Sequence, residues 1–587
     1  MHTNREISIL LRNVAAAYSI LDEKKYRFQI IAYQKASEAI DSLSVEIMDL
    51  YKQNSLDKIP GVGDSIKRYM QELFETGKVE HFESIMKNLS LALFPLLDIP
   101  SFGPKKAFKI VEAFHLDNPK TVIQDVKELA EKGKIAPLPS FGEKSEKYIL
   151  QAIAEYALGK TKSSRMVLPL AKEIADKFVD YLRECKEVEE VYPLGSLRRM
   201  KSTIGDVDIA VSSKNPSAVL KHFVAYPFKE RIIEQGDITS SLVVSGNKQI
   251  DLMVLKPEQL GSLLQHFTGS KQHNVALREY AIKKGFSLSE KGIKLKNGKT
   301  ETFTKEADFY KYLGMDWIPP ELRENTGEVE AALKHSLPKL VELSDMKGDL
   351  HIHSSYPIEP SHDMGQASMQ EMIDRAKELS YAYIGFSEHN PSVMNHSENE
   401  IYDILQRRKE KIEQLKESNK SIHIINLLEI DILANNKLAL SDKCMELIDM
   451  GIVSIHSSFK TEKKAMTKRI LSGLSHPKAK IFAHPTGRLI NQRNGYEVDW
   501  DNLFSFVKDN NKALEINSWP TRLDLPDTLV KDAKDLGIKF VIDTESHART
   551  PMDNMIFGVS VARRGWCEAK DILNTYGFDK FKDWIVS

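Results

Sequence analysis

The chain has 587 residues, of which 42% are hydrophobic and 28% charged, and its formal net charge is −1. One hydrophobic core cannot organise a chain of this length, so about two to four domains are expected, and the composition is typical of a soluble globular protein. No apolar run approaches the about 20 residues of a membrane span, and the N-terminus lacks a signal-peptide pattern, which predicts a cytoplasmic protein without a membrane partner. Three cysteines without C-x-x-C spacing exclude a disulfide framework and a thiolate zinc site.

Residues 4–50 have apolar positions at helical spacing and contain no Gly or Pro, which predicts two or three packed helices. Three similar strings follow about 40 residues apart, beginning at Ile59, Ile99 and Leu138, and each precedes a helical pattern. They resemble helix-hairpin-helix motifs, in which backbone N–H groups at a helix start face a DNA phosphate, often beside a monovalent cation. The DNA contacts predicted from this resemblance are Gly61, Gly63, Gly103, Lys105, Gly142 and Lys144. The plainer alternative is three ordinary turns.

Asp206 and Asp208 stand one residue apart at the entrance to an apolar run, and Asp251 lies within a second such run. Alternate residues of a strand share a face, so two neighbouring strands can bring the three carboxylates together. Such a pocket selects hard cations, and two Mg²⁺ ions about 3.5–4 Å apart are the apparatus of in-line phosphoryl transfer. The turn at Gly195 and Ser196 offers backbone N–H groups to phosphate.

Arg198 and Arg199 follow in the same turn and are placed to neutralise a triphosphate. An Asp-x-Asp pair alone would be ordinary surface chemistry, but a Gly-Ser turn that leads to Asp-x-Asp and an apolar strand resembles the nucleotidyltransferase superfamily. A second string, from His266 to Arg278, resembles the family X DNA polymerases, the group that includes polymerase beta. That resemblance places Phe267 and Gly269 at the sugar, Asn274 at the base edge and Arg278 at the template side. The nucleotide contacts that it implies are Gly195, Ser196, Arg199, Phe267, Gly269, Ser270, Asn274 and Arg278.

The chain departs from that family at three positions, one of which is Ser202, where Glu or a similar acid often precedes the catalytic pair. His266 stands where Tyr is usual. Tyr69 falls where polymerase beta has the lysine that forms a Schiff base with a cleaved abasic sugar. Tyrosine cannot form an imine, so no efficient lyase of that type is expected.

The C-terminal half carries single histidines and carboxylates at the ends of apolar runs, separated by helical stretches such as 369–380 and 524–537. Strand–helix alternation with functional residues at strand ends predicts an αβ barrel whose site lies at the C-terminal face of the strands. His351 and His353 are expected on one face of a strand, and histidine with carboxylate ligands suits Mn²⁺, Zn²⁺ or iron. The predicted metal ligands are His351, His353, Asp363, His389, Glu429, His456, His484, Glu545 and His547.

With the strings at 484–488, 514–525 and 562–566, the order of these motifs resembles the polymerase-and-histidinol-phosphatase (PHP) domain of bacterial and archaeal family X enzymes. In relatives that domain hydrolyses phosphodiesters, typically as a Mn²⁺-dependent 3′→5′ exonuclease. Counted from His353, Ile358 stands where the family has a metal-binding Asp, so the resemblance places that ligand at Asp363 instead. In the last motif, Glu545 replaces the usual Asp. A structural domain with a weakened metal site is therefore the alternative to a nuclease.

The sequence thus predicts a multidomain α and α/β protein. Its predicted parts are an N-terminal helical DNA-binding domain (1–90), a fingers-like helical region with further helix-hairpin-helix motifs (91–162), a nucleotidyltransferase palm (163–260), a thumb (261–320), a linker (321–345) and a (β/α)7-type PHP barrel (346–587). The resemblance implies a monomeric DNA polymerase that fills short gaps in gapped or nicked DNA with dNTPs. It would use Mg²⁺ at the palm and Mn²⁺ or Zn²⁺ at the barrel. The alternatives are a PHP nuclease that uses the polymerase half to hold DNA, and a non-enzymatic DNA-end scaffold.

Overall fold

A computed structural model describes residues 4–41, 47–52, 56, 59, 62–99, 102–157, 165–246, 248–493 and 495–587. The chain divides into two compact units. The first comprises Met1–Met166, Gly205–Val207 and Asn215–Met253, and the second comprises Val167–Ile204, Asp208–Lys214 and Val254–Ser587. None of the described helices is long and apolar enough to cross a membrane.

The N-terminal region is helical, as the apolar spacing predicts. Its helices are α1 Asn4–Asp22, α2 Arg27–Asp41, α3 Ile47–Lys52, α4 Asp64–Thr76, α5 Glu80–Met86, α6 Leu93–Leu96, α7 Pro104–Ala113, α8 Val122–Glu131 and α9 Glu143–Ala157. One core lies between α1, α2, α4 and α5, and a second contains residues of α6 to α9. Each of the three glycine-rich strings directly precedes a helix, namely α4, α7 and α9, which confirms that part of the prediction.

The central region alternates short strands and helices. Its elements are β1 Met166–Val167, α10 Leu168–Arg183, β2 Glu190–Pro193, α11 Gly195–Arg198, β3 Thr203–Ile204, β4 Val207–Ser212, α12 Pro216–Val224, β5 Lys229–Gln235, β6 Thr239–Val244 and β7 Lys248–Leu255. β2 pairs antiparallel with β4 in the second unit, and β5, β6 and β7 form an antiparallel meander in the first. Asp208 therefore lies on a strand, and so does Asp251, as predicted.

The thumb region follows, with its own core around Leu277, Phe309 and Ile318. Its elements are α13 Leu260–Thr268, α14 Lys271–Lys283, β8 Ser287–Ser289, β9 Gly292–Lys294, β10 Thr300–Glu301, α15 Glu306–Tyr312 and α16 Glu328–Leu333. Ser270 is the N-cap residue of α14, and its Oγ accepts a hydrogen bond from the backbone N–H of His273.

The C-terminal half is a seven-stranded parallel barrel in which each strand pairs with the next in the chain. Its elements are β11 Gly348–Asp349, α17 Met369–Glu378, β12 Tyr383–Phe386, α18 Glu398–Ser418, β13 His423–Asp431, α19 Asp442–Met445, β14 Met450–Ser454, α20 Lys463–Leu474, β15 Ala479–Phe482, α21 Trp500–Asp509, β16 Ala513–Asn517, α22 Asp527–Asp535, β17 Lys539–Asp543, α23 Met555–Arg564 and α24 Phe578–Val586. Buried residues such as Leu427, Ile452 and Val541 fill its core. This architecture confirms the predicted (β/α)7-type barrel.

The barrel nearly closes between its first and last strands. Ile352 bridges Ser546 in parallel, and the backbone N–H of His353 donates to the oxygen of Ser546 at 2.8 Å. β11 ends at Asp349, so the expectation that His351 and His353 lie within a strand is wrong: both follow the strand, at its carboxyl end.

Candidate active sites

Three predicted carboxylates form a group in the central region. One carboxylate oxygen of each of Asp206, Asp208 and Asp251 lies within 4.8 Å of the others, a spacing that could hold a metal ion. Desolvation raises the pKa of Asp206, and the negative charge of Asp251 raises it further. Gln249, two residues before Asp251 on β7, donates its side-chain N–H to both oxygens of Asp251 at 2.9 and 3.0 Å. Carboxylates that lie this close repel one another. Bound divalent cations would offset that repulsion, so the arrangement suits a metal site.

Gly195 begins α11 and lies against the second carboxylate of this group. Its φ is +58°, and a Cβ added there would lie 1.9 Å from Oδ2 of Asp208. A side chain would therefore displace the carboxylate, which explains why the turn before Ser196 requires glycine.

Arg198 does not point to open solvent as a free phosphate ligand. Its guanidinium donates to both oxygens of Glu306, at 3.1 and 2.9 Å, and to Oγ1 of Thr268 at 2.6 Å. Arg323 donates to the same Glu306 at 2.6 Å. Burial alone would raise the pKa of Glu306, but Arg323 and Arg198 lower it to about 2. The structure thus pairs Arg198 within the protein, whereas the sequence suggested a role at the triphosphate.

Arg199 is half-buried beside the segment predicted to close over the nucleotide. Its Nε donates to Oε1 of Glu324 at 2.9 Å, and its Nη1 donates to the backbone oxygen of Thr268. A Cβ added at Gly269, whose φ is +66°, would lie 3.0 Å from Nη1 of Arg199. The glycine therefore allows the arginine and this segment to approach each other closely.

The remaining predicted nucleotide contacts lie on α13 and α14. Asn274 donates to the backbone oxygen of His266 at 2.8 Å and accepts from the side chain of Gln265 at 2.9 Å. Phe267 is half-buried and Arg278 is exposed. Burial lowers the pKa of His266, and the positive charge of Arg278 lowers it further, which favours a neutral imidazole where the family usually has Tyr.

The helix-hairpin-helix glycines lie at helix starts, where backbone N–H groups are unpaired within the helix. Gly63 and Gly103 are the N-cap residues of α4 and α7, and a Cβ at either would meet nothing within 4 Å. Gly142 immediately precedes α9 in the same way. Each turn is therefore open enough for a phosphate to approach.

The other DNA contacts predicted beside these turns are Lys105, Gly61 and Lys144. Lys105 is exposed and pairs with Glu23, with 2.6 Å between Nζ and Oε2. Gly61 and the side chain of Lys144 lie outside the described residues.

A second group of ligand-type side chains surrounds Glu429 at the carboxyl ends of the barrel strands. Five histidine nitrogens lie 3.1, 3.5, 3.0, 3.2 and 2.9 Å from its oxygens, those of His351, His353, His389, His456 and His484 respectively. Glu429 is fully buried, and its carboxylate lies close to side chains from four other segments of the barrel.

Asp363 extends this group on one side. Its two oxygens lie 3.3 Å from Nε2 of His389 and 3.3 Å from Nε2 of His547. Ile358, by contrast, is a fully buried apolar side chain. Asp363 contacts two candidate histidine ligands but belongs to none of the metal-type groups among the described residues, so its role as a ligand stays a prediction.

Several buried polar atoms of the Glu429 group lie near one another without forming aligned hydrogen bonds. They are His351 Nε2, His353 Nδ1 and Nε2, His389 Nδ1, Glu429 Oε2, His484 Nδ1 and His547 Nε2. Each unsatisfied buried group costs about 1–3 kcal/mol, so a fold rarely concentrates them without a ligand. Nitrogen and carboxylate donors aimed at one volume fit divalent ions of the Mn²⁺ and Zn²⁺ type.

The histidines of this group differ in charge: burial would lower the pKa of His389 and His456, but Glu429 raises both above the ordinary value. Burial lowers the pKa of His353 far below its ordinary value, and His389 and His547 lower it further, so its imidazole is neutral, as a ligand must be. Burial would raise the pKa of Glu429, but the surrounding histidines hold it well below its ordinary value. The site therefore presents an ionised carboxylate at its centre.

Glu545 is not brought into any of the metal-type groups found among the described residues. Arg522 holds it instead, with Nε 2.7 Å from Oε2 and Nη2 3.1 Å from Oε1, and Asn517 donates to Oε2 at 2.9 Å. Burial would raise the pKa of Glu545, but Arg522 and neighbouring histidines lower it to about 2. The Glu545 side chain, which is longer than the usual Asp, therefore pairs with Arg522 rather than with the histidines.

The structure adds residues that sequence reasoning missed. Glu515 accepts from Nδ1 of His351 at 2.6 Å, which orients the ring toward Glu429. Asp431 accepts from Nδ1 of His456 at 2.7 Å and lies 3.1 Å from Nε2 of His362, so these three also form a group that could hold a metal ion. The sequence could have indicated Asp431 as a candidate, because it follows Glu429 at a two-residue interval on β13 and alternate residues of a strand share a face.

A cavity of about 540 Å³ opens beside the histidines. Its lining includes Phe459 and Trp519, two aromatic side chains, and Arg493 and Arg522, two cations. Arg493 lies over the ring of Phe459, 3.9 Å from its centroid. The volume lies within the about 300–1,000 Å³ of small-molecule sites.

The chain combines helix-hairpin-helix turns, a carboxylate trio at and just before the strands β4 and β7, a thumb and a histidine-lined parallel barrel. These features define a polymerase fused to a PHP domain. Comparison with known families agrees: residues 2–79 match the helix-hairpin-helix domain, 263–324 the DNA polymerase beta thumb and 349–519 the PHP domain. The chain is 32% identical over 577 residues to the DNA polymerase/3'-5' exonuclease PolX of Bacillus subtilis. The aligned region covers 98% of this chain and 97% of that protein. It is 23% identical over 356 residues to DNA polymerase lambda of Rattus norvegicus, covering 55% of this chain and 56% of that protein. The chain therefore belongs to the PolX family, the family X DNA polymerases that carry a PHP domain.

Proposed function

We propose that this protein is a DNA-directed DNA polymerase that adds deoxynucleotides to a primer 3′ end in short gaps, acting as a cytoplasmic monomer. The observation that carries the proposal is the convergence of Asp206, Asp208 and Asp251 within 4.8 Å of one another. Full-length similarity to a PolX protein supports it. A DNA-end scaffold would gain nothing from three repelling carboxylates, whereas phosphoryl transfer needs them.

The three aspartates would hold Mg²⁺ at the palm, which would lower the pKa of the primer 3′-hydroxyl and stabilise charge on the α-phosphate. Asp251, oriented by Gln249, would accept the hydroxyl proton. The backbone turn at Ser196 and the guanidinium of Arg199 would bind the triphosphate and offset the charge of departing pyrophosphate.

DNA would be held by the helix-hairpin-helix turns through its phosphates, with a monovalent cation beside the turn. Support comes from Gly63, Gly103 and Gly142, which lie at open helix starts. Such contacts position a duplex without reading its sequence, which suits repair of gaps in any context.

The PHP domain would carry a second activity, Mn²⁺-dependent hydrolysis of phosphodiesters from a 3′ end, with Zn²⁺ as the alternative metal. The buried nitrogens around Glu429 that form no aligned hydrogen bonds support it, and the adjacent cavity would admit a terminal nucleotide. Trp519 and Phe459 would contact its base, and Arg493 its phosphate. The same observation favours the alternative that hydrolysis is the main activity of the chain.

A single assay separates these functions. A 5′-labelled gapped duplex is incubated with dNTPs and Mg²⁺ or Mn²⁺, and longer and shorter products are read on one gel. Asp208→Asn should abolish lengthening but not shortening, while His353→Ala should abolish shortening but not lengthening. Full extension by Asp208→Asn would refute the polymerase site, and binding without turnover in either metal would favour the scaffold.

A further inference from the structure

Arg564 is a buried arginine that links the PHP barrel to the nucleotide-binding turn. It lies at the end of α23, and its Nη1 donates to the backbone oxygen of Arg199 at 2.7 Å. Its Nε donates to Oδ2 of Asp527, the first residue of α22, at 2.8 Å. One guanidinium thus joins a barrel helix to the turn that carries the candidate triphosphate ligand.

The same guanidinium also fixes the partner of that ligand. Oε1 of Glu324 accepts from Nη1 of Arg564 at 3.1 Å and from Nε of Arg199 at 2.9 Å. A single carboxylate oxygen is therefore shared by two arginines, one from the PHP domain and one from the polymerase turn. Because a planar guanidinium makes these bonds in fixed directions, the position of Arg564 constrains both the backbone and the side chain of Arg199.

The charge balance makes Arg564 difficult to replace. Its removal would leave Lys201 and Arg488 as the cations near half-buried Asp527, and would leave the backbone oxygen of Arg199 without this donor. Loss of one partner from a buried ion pair forces the remaining groups to rearrange or to admit water. The group that would move is the turn before the carboxylate trio.

We propose that Arg564 is a positioning residue for nucleotide binding, so that the PHP domain sets the affinity of the polymerase site for dNTP through the Arg199 turn. This inference rests on the proposed function, in which Arg199 binds the triphosphate. Arg564 acts through its hydrogen bonds to the backbone of Arg199 and to the carboxylate of Glu324. Misplacing a substrate-holding side chain by about 1 Å costs up to about 100-fold in rate, so the effect is measurable.

The neighbouring Arg563 provides a matched control. It lies on the same helix and also crosses to the polymerase half, donating to Glu321 at 2.7 Å and to the backbone oxygen of Val341 at 3.0 Å. Neither of these two hydrogen bonds reaches the Arg199 turn. Arg563→Lys therefore reports the general cost of weakening this boundary, and Arg564→Lys reports the specific effect on the turn.

The experiment measures KM for dNTP and kcat on a gapped duplex for the full-length wild type, Arg564→Lys and Arg563→Lys. We expect KM to rise about tenfold or more in Arg564→Lys, with kcat changed less and with KM near wild type in Arg563→Lys. Asp527→Asn, which loosens Arg564 without removing it, should raise KM in the same direction by a smaller factor. Mn²⁺ binding measured by calorimetry confirms that the barrel of each variant is folded.

Equal KM for wild type and Arg564→Lys, or an equal rise in both arginine variants, would overturn the inference while leaving the polymerase assignment intact. A wild type that binds DNA but extends no primer would overturn the proposed function, and this inference with it.

Discussion

Substitution of Gly195 by alanine tests whether the glycine turn sets the position of the second catalytic carboxylate. The added Cβ would lie 1.9 Å from Oδ2 of Asp208, whereas ordinary contact begins at 3.4 Å. The backbone cannot easily yield, because the turn has φ +58° and the backbone N–H of Leu194 donates to the oxygen of Asp208 at 2.7 Å. The carboxylate must therefore move by about 1.5 Å.

The expected loss follows from that displacement. Metal ligands tolerate errors of about 0.2 Å, and a misplacement of about 1 Å costs up to about 100-fold. Gly195→Ala should therefore lower kcat/KM for Mg²⁺-dependent primer extension about 100-fold or more. The left-handed conformation itself costs an alanine only about 1–2 kcal/mol, which is a loss of stability rather than of chemistry.

Single-turnover extension of a gapped duplex measures the effect, and Gly298→Ala supplies the control. Gly298 has φ +85° and nothing within 4 Å of an added Cβ. Its substitution by alanine therefore introduces the same backbone strain but no steric clash. Gly298→Ala should extend primers as the wild type does. If Gly195→Ala also extends at the wild-type rate, the carboxylate is not held where the geometry requires it.

The remaining predictions concern buried charge. Glu306→Gln should lower the free energy of thumb unfolding in urea by about 3–5 kcal/mol, because it leaves Arg198 and Arg323 facing each other without a carboxylate; an unchanged midpoint would contradict this. The pKa of Glu306 lies at about 2, below its ordinary 4.5, so its stabilisation of about 3 kcal/mol is present above pH 4.5 and is lost as pH falls toward 2; the wild type should lose stability in that window more steeply than Glu306→Gln. Glu545→Asp should bind Mn²⁺ about tenfold tighter by calorimetry, since the shorter carboxylate cannot keep its bidentate pair with Arg522; equal affinity would show that Glu545 does not limit the site.

The order of elements was predictable because local patterns determine it. Apolar spacing and glycine turns identify the N-terminal helices, and single histidines at strand ends identify the barrel. The partners of the charged side chains were not predictable in this way. Arg198 meets Glu306 across 108 residues and Arg199 meets Glu324 across 125, and no periodicity relates such positions. Glu545 illustrates the same limit, because only the folded barrel places Arg522 beside it.

The seam of the barrel gives the histidine centre a mechanical role as well as a chemical one. His353 follows the first strand and His547 follows the last, and with His389 they form one of the groups suited to an ion. An ion bound there would link the segments that follow the first and last strands, where the Ile352–Ser546 bridge closes the barrel. Depleting the metal would then loosen the two ends of the barrel, and susceptibility to proteases at this seam would rise as the ion is withdrawn.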